Sequence, residues 1–126
     1  MSDPSNWRVL VVEDQEDSVQ VLSQILRFHG CEVLVAGNGQ ECLTVLAEVQ
    51  PTLVLMDLAM PGMDGWSALA SIRSNPRTRD LCVVAVTAYY SVNVAEDALT
   101  AGFDACFPKP VGAATLVADL QTLLLT

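Results

Sequence analysis

The stretch LVLMDLAMPGMDG, residues 53–65, decides the fold. Its first four residues are continuously apolar, without the in/out alternation of a half-exposed strand, so they predict a strand covered on both faces. Asp57 ends that run. Pro61 and Gly62 then mark a loop, and Gly65 opens a stretch of helical period reaching about residue 74.

The same strand-then-helix rhythm extends in both directions. Upstream, RVLVV (Arg8–Val12) reads as a buried strand. Residues 18–29 follow it with Val21, Leu22, Ile25, Leu26 and His29 at helical spacing, and Gly30 stands where a helix C-cap glycine belongs. EVLVA (Glu32–Ala36) predicts a second strand and residues 40–48 a short helix, before Pro51 breaks the chain ahead of the central strand. Downstream, the turn Asn75-Pro76 precedes a fourth strand, LCVVAVT (81–87). A helix over about 94–101 ends at Gly102, a short fifth strand covers 105–107, and Lys109-Pro110 leads into a last helix over about 113–124. Five apolar strands alternating with five helices mean an α/β fold, a doubly wound parallel sheet with helices on both faces. No repeat or linker interrupts the pattern, so residues 1–126 are expected to form one domain, with 1–6 as an N-terminal tail.

Composition narrows the function classes. A chain of 126 residues, 52% apolar, buries a sizeable core without disulfide or metal staples. Acidic residues outnumber basic ones 15 to 6, a net charge of −9, which argues against direct contact with nucleic acid or an anionic membrane. The opening MSDPSNW lacks the basic and apolar regions of a signal peptide, and no apolar run approaches a membrane span. Cys31, Cys42, Cys82 and Cys106 form no CxxC pair, and a single His29 gives them no zinc partner. They are expected to be reduced, mostly buried thiols of a cytoplasmic protein.

In an open parallel sheet, reactive groups gather just beyond the carboxyl ends of the strands. The first strand is followed by Glu13-Asp14, the third ends in Asp57, the fourth in Thr87-Ala88, and the fifth runs into Lys109-Pro110. The second, ending Ala36-Gly37, offers no side-chain chemistry. Each group alone has an ordinary reading: a charge at a helix N-terminus, a turn residue, a solvated lysine. Together they place three carboxylates, a hydroxyl and the chain's only lysine at one end of one sheet.

Carboxylates a few ångströms apart repel by about 4 kcal/mol per close pair at an effective dielectric near 20. Such a cluster must be protonated or bind a cation. All-oxygen ligands that leave room for water suit Mg²⁺ rather than zinc. An ion with an open position attracts a phosphoryl group. Lys109 supplies a second positive point, Thr87 a hydroxyl, and Asp57, on the central strand, the natural nucleophile.

VLVVEDQ, LVLMDLAMPGMDG, VVAVTA and PKPV stand in the order and spacing of a known family. Across essentially its whole length the chain resembles the receiver domain of two-component response regulators. The resemblance implies strand order 2-1-3-4-5 and makes Asp57 the phosphoacceptor. It makes Asp14 the direct Mg²⁺ carboxylate, with Glu13 beside it acting through water, and the backbone carbonyl of Ala59 a further metal ligand. Thr87 and Lys109 would bind phosphoryl oxygens, and the Lys109-Pro110 peptide would be cis. The implied partners are a sensor histidine kinase or a histidine phosphotransfer protein upstream and a protein target downstream. The implied role is that of a switch, not an enzyme with a metabolic product.

The chain departs from that pattern. Three residues before the lysine, where such domains commonly carry Tyr or Phe, stands Cys106; Tyr89 or Tyr90 is an alternative relay, and simple packing is the other reading of those rings. Glu13 replaces an aspartate, and Pro108 precedes Lys109. Ala59 and Tyr89, two residues after Asp57 and Thr87, offer no polar side chain suited to orienting attacking water, so slow self-dephosphorylation is expected. The last helix carries Leu116, Val117, Leu120, Leu123, Leu124 and Leu125 with no basic residue. With Val92, Val94, Tyr89 and Tyr90 it is a candidate homodimer face around helix 4, strand 5 and helix 5; the alternative is that most of it covers the sheet.

Rival readings are weaker. An aspartyl-phosphate phosphohydrolase wants a second aspartate where Ala59 stands, and a flavin-phosphate binder would not place Glu13-Asp14 at its phosphate loop. A scaffold without phosphorylation has no use for the intact acidic set. A free-standing protein is expected from Met1, with a receiver fragment of a hybrid histidine kinase as the alternative.

Overall fold

A computed structural model describes residues 3–125. The sheet contains β1 (Arg8–Val12), β2 (Glu32–Ala36), β3 (Leu53–Asp57), β4 (Cys82–Thr87) and β5 (Ala105–Pro108). Its order is β2-β1-β3-β4-β5, every pairing parallel. The helices are α1 (Glu16–Phe28), α2 (Gly39–Leu46), α3 (Gly65–Ser74), α4 (Val92–Ala101) and α5 (Leu116–Leu124).

The unbroken apolar strands have the physical cause expected of them. Successive residues feed two separate cores, because side chains alternate across a strand. Leu10, Val12, Val54, Met56, Val83 and Ala85 point to the layer covered by α2, α3 and α4. Val9, Val11, Leu53, Leu55, Val84 and Val86 point to the layer of α1 and α5. Leu116, Val117 and Leu120 are buried in that second layer, Leu123 and Leu124 are half-buried against it, and Leu125 is exposed. Most of the α5 stripe therefore covers the sheet.

Helix starts are where the sequence periods fall short. α1 begins at Glu16 rather than 18, because Glu16 and Asp17 suit the first turn electrostatically without contributing to the apolar period. α4 begins at Val92 rather than 94, since Ser91 caps it by accepting the Val94 amide at 3.1 Å. α5 starts at Leu116 rather than 113: Ala113, Ala114 and Thr115 are exposed, and helix propensity without packing does not sustain a turn. Within the expected tail, Pro4–Asn6 form a 3₁₀ turn, with Ser5 close against Gly30. Gly30 adopts φ 89°, as a residue terminating α1 there requires. Cys31 and Cys42 are buried, but Cys82 and Cys106 are only half-buried, so mostly buried holds for two of the four. Burial pushes the Cys42 thiol up to about 12 and, aided by the negative charge of Asp104, that of Cys82 up to about 11.

The pole where the strands begin is held by Arg73, in the last turn of α3. Its guanidinium donates to the carbonyls of Gly102 (Nε 3.0 Å, Nη2 2.8 Å), Arg79 (2.9 Å) and Leu81 (2.6 Å), and to Asp104 Oδ2 (3.1 Å). Asp104 Oδ2 in turn accepts the Val83 amide at 2.8 Å. One side chain thus ties the ends of α3 and α4 to the starts of β4 and β5. Replacing it by Met keeps the stem and removes every donor. Arg73→Met is expected to cost about 2–4 kcal/mol, read as a lower urea midpoint with unchanged slope. Ser23 is the opposite case. Its Oγ is buried on α1 without a hydrogen-bond partner among the described residues. Ser23→Ala is expected to raise stability by about 1 kcal/mol in the same titration.

Candidate functional site

At the other pole the strand ends deliver side chains in a fixed order. Glu13 follows β1, its amide still donating to the Ala36 carbonyl at 3.0 Å. Asp57 is the last residue of β3, the neighbouring strand, where Val12 pairs with Met56. Thr87 ends β4, one residue beyond the Asp57–Val86 pair. β5 ends at Pro108, which tolerates the lost donor on an edge strand. The Lys109 amide then returns to the Thr87 carbonyl at 2.9 Å, and the Lys109-Pro110 peptide is cis.

Two glycines in the loops around these residues stand where a side chain would collide. A side chain at Gly65 would put its Cβ 2.4 Å from the Asp57 carbonyl oxygen, so only glycine lets α3 start directly on the end of β3. A Cβ at Gly39 would meet Met63 at 2.7 Å, and the Gly39 amide donates to the Met63 carbonyl at 3.2 Å. Asp64 caps α3 by accepting the Ser67 amide at 2.9 Å. The loop following Asp57 is therefore pinned at both ends.

Glu13, Asp57 and Thr87 are buried, while Asp14 is exposed. One carboxylate oxygen from each of Glu13, Asp14 and Asp57 lies within 4.8 Å of the others. Lys109 reaches over this group: its Nζ donates to Glu13 Oε2 and stands 3.4 Å from Asp57 Oδ2. Glu13 Oε1 also accepts the Gln15 amide at 3.2 Å. Burial pushes the Glu13 carboxyl up; the hydrogen bonds from Lys109 and the Gln15 amide pull it down, and the charge of Asp57 adds to the upward push. Asp57 Oδ1 accepts the Ala59 amide at 3.2 Å, and Thr87 Oγ1 accepts the Tyr89 amide at 3.0 Å.

The expected side chains thus converge, with one feature absent from the sequence reading. Lys109 is bonded to Glu13 as well as placed beside Asp57, so it bridges the first and third strands. Gly39 and Arg73 were not singled out, and Gly65 was read only as a helix start. Their cues are two glycines at helix starts, whereas nothing in the sequence links Arg73 to partners about 30 residues away.

The donor set fits a hard divalent cation. It is all oxygen, it includes two buried carboxylates, and a single ammonium leaves Glu13, Asp14, Asp57 and Lys109 two charges negative together. Arranged around Asp57, such a cluster can hold a cation and a phosphoryl group together.

Comparison with known proteins agrees with this geometry. An uncharacterized 14.6 kDa protein of Leptolyngbya boryana is 35% identical over 113 residues, spanning 90% of this chain and 86% of its own. The chain spans about half or less of the length of other curated relatives it matches, which include transcriptional regulators. A crystal structure described as a response regulator from Chloroflexus aurantiacus superposes with a TM-score of 0.90 at 27% identity, covering 95% of this chain and 98% of that one. The receiver domain of a sensor histidine kinase from Pseudomonas aeruginosa, solved with a magnesium ion coordinated in its active-site cleft, gives 0.87 at 28% identity over 95% and 98%. Residues 9–121 match the response regulator receiver domain as a family, and the chain belongs to it.

Proposed function

We propose that this domain is a phosphorylation-dependent switch in which Asp57 accepts a phosphoryl group from a phosphohistidine of a sensor histidine kinase or histidine phosphotransfer protein. The observation that carries this is the position of Lys109, an ammonium beside Asp57 and bonded to Glu13. An Asp57 carboxylate oxygen attacks phosphorus. The new O–P bond forms as the P–N bond to the donor imidazole breaks, and the imidazole leaves with that electron pair. Lys109 can move its charge from Glu13 to a phosphoryl oxygen with a small side-chain shift. Thr87 can donate its hydroxyl hydrogen to another oxygen while still accepting the Tyr89 amide.

Glu13, Asp14, Asp57 and the Ala59 carbonyl would hold Mg²⁺, which when bound supplies neutralisation of the phosphoryl charge. The related receiver with magnesium in its cleft supports this choice of ion. The chain's own residues position the acceptor and exclude solvent from two of the three carboxylates. The outcome is a shift between surface states rather than a released product. Tyr89, Tyr90, Val92 and Leu99 are exposed around the start and outer side of α4 and offer the surface on which a downstream protein or second copy would read that shift.

Incubation with Mg²⁺ and phosphoramidate, followed by intact mass, tests the site. Wild type is expected to gain one phosphoryl group and Asp57→Asn none; equal labelling of both would refute the assignment. Loss of the label tests the small residue at position 59. Ala59 is exposed and cannot orient water, so Ala59→Asn is expected to speed the loss several-fold, measured as mass decay after the donor is removed.

A further inference from the structure

β5 is the shortest of the five strands and lies at an edge of the sheet, and none of its four residues is fully buried. Ala105 and Phe107 face the layer of α1 and α5, and Cys106 faces the layer of α2, α3 and α4. Both layers are apolar, so the side chains of β5 select weakly between this register and one shifted by a residue. The selection matters for Lys109, the next residue along the chain. A shift of one position displaces the strand by about 3.3 Å and turns each side chain to the opposite face. Lys109 Nζ stands 3.4 Å from Asp57 Oδ2, and its side chain is 15% exposed, so the enclosed stem has little freedom to make up such a shift.

The register is decided one residue before β5. The Asp104 amide donates to the Val83 carbonyl at 2.8 Å, and Asp104 Oδ2 accepts the Val83 amide at 2.8 Å. One residue thus satisfies both main-chain groups of Val83, which is fully buried on β4. A shifted chain would bring Phe103 or Ala105 to that place, and neither has a side-chain acceptor, so the Val83 amide would stay unpaired. Arg73 holds this bracket from both sides. Its Nη2 donates to Asp104 Oδ2 at 3.1 Å, and the same guanidinium binds the carbonyls of Leu81 and Gly102, two residues before Val83 and two before Asp104. Beyond the other end of β5, about 16 Å on, the Lys109 amide meets the Thr87 carbonyl in the register set at Asp104.

We propose that Asp104, held by Arg73, is a positioning residue for the Asp57 site: it sets the register of β5 on β4 and so brings Lys109 to Glu13 and Asp57 from the opposite pole of the sheet. The consequence for phosphoryl transfer rests on the phosphoacceptor reading above, whereas the register itself does not.

Hydrogen exchange and the side-chain signal of the chain's only lysine test this in the intact chain. In Asp104→Ala the Lys109 amide is expected to lose at least about tenfold in exchange protection relative to Val11 on β1 and Leu55 on β3. The Lys109 ε-methylene signal of ¹³C-lysine-labelled protein is expected to leave its wild-type position. Labelling of Asp57 by phosphoramidate with Mg²⁺ is expected to slow at least about threefold. Asp104→Asn keeps an acceptor for the Val83 amide and is expected to hold Lys109 protection within about threefold of wild type. If Asp104→Ala does not fold, Arg73→Met, which leaves Asp104 without its cation, is measured instead with the same loss expected at Lys109. A merely structural role would lower protection at Val11, Leu55 and Lys109 together; that result, or an unmoved lysine signal, overturns the proposal. So does a wild-type labelling rate in a variant whose lysine signal has moved. Absence of labelling in wild type overturns the phosphoacceptor reading and leaves the register to be decided by exchange.

Discussion

The structure depends on one electrostatic constraint: two carboxylates, Glu13 and Asp57, are buried side by side and share a single ammonium. Ionised groups leave water only at a cost of several kcal/mol each unless they are paired and hydrogen-bonded. Neither Glu13 nor Asp57 could supply its own counter-charge, because β1 and β3 carry none at that end. Lys109 must come from β5, two strands beyond β3, and its amide bond to the Thr87 carbonyl sets where its stem begins. Strand order is thus part of the chemistry. Moving β1 away from β3 would part the carboxylates, and moving β5 away from β4 would strand the lysine.

Much of this was legible in the sequence because two independent patterns agree. Apolar runs without alternation predict strands covered on both faces, and the two cores built from alternate residues of β1, β3 and β4 are the physical reason. Residues that end those runs then have to lie at one sheet edge, which is why Glu13, Asp14, Asp57, Thr87 and Lys109 were legible as a group. Strand order itself came from the family resemblance, not from periodicity. What escaped is what periodicity cannot carry. Ser91 and the acidic first turn of α1 act through single hydrogen bonds and the helix dipole, so the helix starts were misplaced. The bond from Lys109 to Glu13 joins residues 96 positions apart and depends on side-chain reach.

The glycines show the same division. Gly30 was legible from its place after an apolar period, because a chain reversal there needs a residue tolerant of positive φ. Gly65 was legible only as a helix start. Its necessity comes from the Asp57 carbonyl 2.4 Å from where a Cβ would sit, a distance that exists only once α3 has docked on β3. That close approach joins fold to function, since the backbone it constrains carries the proposed acceptor.

Stability and chemistry are separated along the strand axis, and the separation has a mechanical consequence. At the pole of Arg73, one guanidinium holds the Gly102 carbonyl at the end of α4 and the Asp104 carboxylate just before β5. At the other pole, α4 begins from an exposed segment whose link to the site is the Tyr89 amide bond to Thr87 Oγ1. Of α4 only Ala98 is fully buried, with Val94 half-buried against the core. α4 is thus anchored more firmly at its end than at its start. In the proposed switch, a change at Thr87 would therefore be met first at Tyr89, Tyr90 and Val92, the exposed residues nearest that hydroxyl along the chain.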